Sequence, residues 1–112
     1  MSKLAFYLED DELMRMAMEK DAKRRKLNFK TFSNPENFFK AVNKTSKDTI
    51  LFLDSNIGEG ISGEEIGKIC FENGFENIFL ITNSDKKDFP PMPWIKDIGG
   101  KLDIFKFWNT LQ

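Results

Sequence analysis

The chain has 112 residues, 40% of them hydrophobic and 31% charged, with a formal net charge of -1. That size fits one domain over residues 1–112, the composition is globular, and the balanced charge argues against nucleic acid as a direct partner. No apolar run approaches the ~18 residues of a membrane span, the single cysteine forbids an internal disulfide, and the lack of histidine removes His-based zinc sites and His-dependent nucleophiles.

Residues 1–3 lead directly into an apolar stretch that ends in acids, which is not a signal peptide. With one cysteine, a reducing and cytoplasmic setting is expected. Leu4-Ala5-Phe6-Tyr7-Leu8 reads as a buried strand closing on Glu9-Asp10-Asp11-Glu12. Asp11 is placed to cap a helix over residues 12–26, with Met14, Ala17, Met18 and Ala22 as its core stripe. The cations Lys20, Lys23, Arg24, Arg25 and Lys26 complement the carboxyl end of that helix. Asn28-Phe29-Lys30-Thr31-Phe32 alternates as a shorter strand, an edge candidate. Asn34 with Pro35 opens a second helix that buries Phe38, Phe39 and Val42.

Thr49-Ile50-Leu51-Phe52-Leu53 is a short, mostly apolar run that delivers Asp54. Such runs are strands buried on both faces, as in parallel sheets. Residues 55–63 form a glycine-rich loop without the lysine of a phosphate-binding P-loop. Ser62 caps a third helix over residues 64–73 with Ile66, Ile69 and Cys70 on one face, and Gly74 ends it. Asn77-Ile78-Phe79-Leu80-Ile81-Thr82 is a fourth strand ending in a hydroxyl. Three prolines between Pro90 and Pro93 forbid a regular helix there. Residues 94–101 read as a last strand ending in Lys101, and residues 102–111 as a terminal helix with Ile104, Phe105 and Trp108 at helical spacing.

Alternating strands and helices imply a parallel sheet with helices on both faces. In a flavodoxin-like order 2-1-3-4-5, Glu9, Asp10, Asp54, Thr82 and Lys101 meet at the carboxyl edge, where open α/β sheets bind ligands. Three crowded carboxylates repel one another, and a hard divalent cation relieves them. An aspartate so placed can act as a nucleophile toward a phosphoryl group, with the cation and a lysine bearing the developing charge.

These residues resemble the receiver domain of bacterial two-component response regulators over nearly the whole chain. The resemblance is carried by Leu8-Glu9-Asp10-Asp11, Leu53-Asp54-Ser55-Asn56, Ser62-Gly63-Glu64-Glu65 and Leu80-Ile81-Thr82. It implies a CheY-like, doubly wound, five-stranded sheet and a phosphoacceptor at Asp54. It also implies Mg2+ on Asp10, Asp54 and the Asn56 carbonyl, with Glu9 reaching the metal through water. Thr82 is then the switch hydroxyl and Lys101 the phosphoryl-contacting lysine, with Lys96 as the alternative.

By the same resemblance the donor is a histidine kinase or phosphotransfer protein. The domain is not a turnover enzyme but assists its own phosphorylation and dephosphorylation, and it signals by contact with an output protein. The sequence departs from the pattern in several places, the loop after Gly58 also being a residue longer than usual. Gly58 stands where proline is common, Leu102 follows Lys101 in place of proline, Ile98 replaces the switch aromatic, and the fourth helix is shortened or missing. Two other readings compete: a receiver-like docking module that is never phosphorylated, and a Mg2+-dependent phosphatase with an aspartyl nucleophile. Against the second, Asn56 occupies the place of the second aspartate such enzymes use.

Overall fold

The computed structural model describes residues 4–58 and 60–111. The approach of residues 1–3 to the first strand, and Glu59 in the glycine-rich loop, lie outside the described residues.

Five strands form one parallel sheet in the order β2-β1-β3-β4-β5. They are β1 (Leu4–Leu8), β2 (Asn28–Phe32), β3 (Ile50–Asp54), β4 (Ile78–Ile81) and β5 (Asp97–Gly99). Helices α1 (Glu12–Arg24) and α4 (Ile104–Thr110) cover one face, and α2 (Pro35–Val42) and α3 (Gly63–Glu72) the other. Strand periodicity builds both layers. Ala5, Tyr7, Ile50, Phe52, Phe79 and Ile81 face α1 and α4, whereas Phe6, Leu8, Leu51, Leu53, Ile78 and Leu80 face α2 and α3. The expected sheet order and two-faced winding are the observed ones.

The caps are local and agree with the sequence. Asp11 accepts N–H bonds from Leu13 and Met14, Asn34 from Asn37, and Ser62 from Glu65. Helix α1 stops two residues short of the expected end, because Lys26 takes a left-handed φ of 59°. Met18 and Ala22 are buried, but Ala17 is exposed, one residue off the stripe that faces the sheet. Ile69 is likewise turned outward, since the buried stripe of α3 runs through Gly63, Ile66, Gly67 and Cys70. Cys70 is core, and burial pushes its thiol up to about 12.

Residues 83–96 depart most from a regular βαβ unit. They hold only a single 3-10 turn, Lys86–Asp88, and no α-helix. Phe89, Met92, Trp94 and Ile95 pack this strap onto the α2/α3 core. The last strand is shorter than the expected 94–101. Trp94 and Ile95 belong to a turn closed by Ile95 N–H to the Met92 carbonyl at 3.0 Å. At the far end, Asp103 Oδ2 accepts the Gly100 N–H at 2.8 Å, and Lys101 already lies in a 3-10 turn leading to α4. No helix among the described residues is long and apolar enough to cross a membrane.

Candidate functional site

The carboxyl edge of the sheet collects the site. Glu9 follows β1 and keeps its pairing, its N–H donating to the Phe32 carbonyl at 3.0 Å. The turn into α1 is pinned by Arg15, whose Nη1 donates to the Glu9 carbonyl at 2.8 Å. Glu9 is 1% exposed, Asp10 is exposed, and Asp54 is 9% exposed. One carboxylate oxygen from each of Glu9, Asp10 and Asp54 lies within 4.8 Å of the others. Asp11 is a cap and stands outside this cluster.

Two glycines let the loop after β3 close around Asp54. A Cβ on Gly63 would lie 2.3 Å from the Asp54 carbonyl oxygen, so only glycine lets α3 start against the end of β3. Gly58 has a φ of +84°, a left-handed conformation that glycine adopts freely, and its Cβ position lies 3.3 Å from Asp10 Oδ2. Asn56 bridges Ser62 across this loop, and the Asn56 N–H donates to Asp54 Oδ1 at 3.2 Å.

Thr82 and Lys101 arrive from the other side. The Thr82 N–H donates to the Gly99 carbonyl at 2.8 Å, and its hydroxyl accepts the Ser84 N–H at 3.1 Å. A cleft of about 480 Å³, lined by Thr82, Ser84, Gly100 and Lys101 among others, opens beside it. Lys101 Nζ sits 3.2 Å from Glu9 Oε1, which brings the ammonium into the acid cluster. Lys96 is at the opposite edge. Its N–H bonds the carbonyl of Ile78, the first residue of β4, and its Nζ reaches Asn77 Oδ1 at 3.2 Å. The alternative lysine is therefore remote from the carboxylates, because it precedes β5 while Lys101 follows it.

Crowding sets the protonation states. Burial, then the hydrogen bond and charge of Glu9, push the Asp54 carboxyl up to about 7, against the pull of the Asn56 N–H and Lys101. Burial also acts to raise Glu9, but donors from Asp54, the Asp11 N–H, Tyr7 and Lys101 hold it below the usual carboxylate range. Asp10 is raised by burial and by Glu9. Of the pair, Asp54 is therefore the weaker acid and the one that holds on to its proton as pH rises. The donor set is all oxygen and short of positive charge, which fits a hard divalent cation.

Two participants escape a motif-based reading. Tyr7 donates its hydroxyl to Glu9 Oε1 at 2.9 Å; the period of two along β1 was the available signal, since it sets Tyr7 and Glu9 on one face. Trp94 donates its indole N–H to the Glu64 carbonyl at 3.0 Å, tying the strap to the first turn of α3. No short-range pattern marks that contact between residues 30 positions apart.

No protein-family model matches the sequence, and no curated protein does so. Solved structures do match. A response regulator receiver domain (CheY-like) from Methylobacillus flagellatus superposes with a TM-score of 0.81 over 100% of both chains at 12% identity. A response regulator receiver domain protein (CheY-like) from Methanospirillum hungatei JF-1 gives 0.70 over 95% of this chain and 91% of that one, at 14% identity. The chain therefore has the fold of the CheY-like receiver domains of response regulators.

Proposed function

We propose that the chain is a phospho-receiver whose acceptor is Asp54. The observation that carries this reading is the convergence of Glu9, Asp10 and Asp54 within 4.8 Å at the carboxyl edge of a receiver fold, with Lys101 3.2 Å from Glu9. An Asp54 oxygen attacks phosphorus, the P–N bond of a donor phosphohistidine breaks, and the imidazole leaves with the electron pair. The product is an aspartyl phosphate, and water later releases inorganic phosphate and restores the carboxylate. Asp10, Asp54 and the Asn56 carbonyl would hold Mg2+, with Glu9 acting through water, and the ion would neutralise charge on the phosphoryl oxygens.

The residues of the chain do the rest. Lys101 exchanges Glu9 for a phosphoryl oxygen, and the Thr82 hydroxyl donates to another. Asp54 attacks in its deprotonated form, and the charge of a bound cation would favour that form over the raised, protonated one. In this reading the chain is a phosphoacceptor that assists its own turnover rather than an enzyme acting on many substrates. The chain acts in the cytoplasm, its donor is a histidine kinase or phosphotransfer protein, and its output is contact with another protein. Incubation with acetyl phosphate and Mg2+, borohydride reduction of the acyl phosphate and peptide mapping test the site. Homoserine at position 54 supports the proposal. An unmodified Asp54 in folded protein favours the docking module that is never phosphorylated, and sustained hydrolysis of a generic phosphate ester favours the phosphatase.

A further inference from the structure

Tyr7 is fully buried on the face of β1 toward α1 and α4. Burying a phenol is costly unless its hydroxyl finds an acceptor, and here the acceptor is Glu9 Oε1. The ring is flanked by Phe29, with centroids 6.1 Å apart, and by its register partner Phe52. That packing fixes the direction in which the O–H points. Glu9 Oε1 has a second donor in Lys101, and Glu9 Oε2 accepts the Asp11 N–H at 3.3 Å. These three donors differ in what else they can do. The Asp11 N–H is fixed by the turn and the phenol by its packing. The ammonium sits on a longer side chain that lines the open cleft beside Thr82.

We propose that Tyr7 is a positioning residue of the acidic site: its hydroxyl aims Glu9 at a divalent cation and keeps Glu9 hydrogen-bonded when Lys101 leaves it for a phosphoryl group. The inference rests on the phospho-receiver reading. Without the phenol, Oε1 of this nearly fully buried carboxylate would lean on Lys101, and the lysine would be held back from Asp54. Tyr7 acts through Glu9, so its effect on metal binding vanishes when Glu9 can no longer play its part.

The test is calorimetric titration of the full chain with MgCl2, using wild type, Tyr7→Phe, Glu9→Gln and the double variant. Outer-shell partners of metal sites commonly matter by about an order of magnitude, so Tyr7→Phe weakens Mg2+ binding about tenfold in wild type. In the Glu9→Gln background it changes binding by less than about twofold, since the two residues act as one unit. Equal factors in both backgrounds, or no effect in either, overturn the role of Tyr7 and leave the acceptor reading standing. Wild type that binds no Mg2+ overturns both.

Tyr7 is also the only tyrosine of the chain. A ring-fluorinated tyrosine therefore gives one fluorine NMR signal and needs no variant at position 7. That signal shifts on addition of MgCl2 in wild type and stays put in Glu9→Gln; a signal indifferent to MgCl2 in wild type that binds the ion contradicts the inference.

Discussion

Asp54 and Glu9 pull the stability of the metal-free protein in opposite directions with pH. The folded Asp54 carboxyl, pushed up to about 7, stands above its ordinary 3.8, so between those values the folded state holds a proton that the unfolded state has released. Stability from this group is complete below the lower value and is lost as pH rises through the upper one. Glu9 is held below its ordinary 4.5, and its contribution is lost only as pH falls beneath that value. With chelator present, the unfolding temperature should fall from pH 5 to pH 8, by about 10 °C for a domain of this size. Asp54→Asn should remove that slope and unfold at a higher temperature than wild type at pH 8. A slope that persists in the variant would place the proton elsewhere. Asp10, Asp54 and Thr82 were legible because each stands where an apolar run stops, and strand ends in such sheets face one edge. The sequence already favours Lys101 over Lys96, and the register of β5 sets the two lysines at opposite ends of that short strand.

The elements that position these residues owe much to contacts with no local signature. Gly63 reads in the sequence as the last residue of a glycine-rich loop, whereas it opens α3. Its role appears only when α3 is set against β3, where a Cβ would meet the Asp54 carbonyl oxygen at 2.3 Å. Backbone must shift to relieve such a contact, so Gly63→Ala should destabilise by about 1–3 kcal/mol, read as a lower urea midpoint. It should also slow labelling of Asp54, because the loop carrying Asn56 moves with the helix. The loss of the fourth helix was plain from Pro90, Pro91 and Pro93. What replaces it was not. The Trp94 indole bonds the Glu64 carbonyl, and Lys68 Nζ lies 5.5 Å from the centre of the Trp94 ring. Trp94→Phe keeps the apolar packing and removes the indole donor, so a loss of roughly 1 kcal/mol is expected in urea unfolding. A loss near zero would mean that the strap is held by packing alone.

At the scale of the molecule, the alternation of apolar runs and amphipathic segments implied a parallel sheet covered on both faces, and the flavodoxin-like strand order expected for it is the observed one. The strap follows from its prolines, and β5 is bounded by the turn at Ile95 and by the bond from the Gly100 N–H to Asp103; both lie on the side of Ile98. The carboxyl edge keeps its acids, hydroxyl and lysine together, so the chemistry and the altered strap stand on separate parts of one scaffold. Thr82 joins them: its hydroxyl accepts the N–H of Ser84, and the strap begins there. The most direct measurement is the intact mass of the protein after acetyl phosphate, with and without Mg2+, for wild type and Asp54→Asn. The account predicts a single phosphoryl adduct that requires both Mg2+ and Asp54. A folded wild-type protein that gains no adduct, or an adduct that survives in Asp54→Asn, would contradict it.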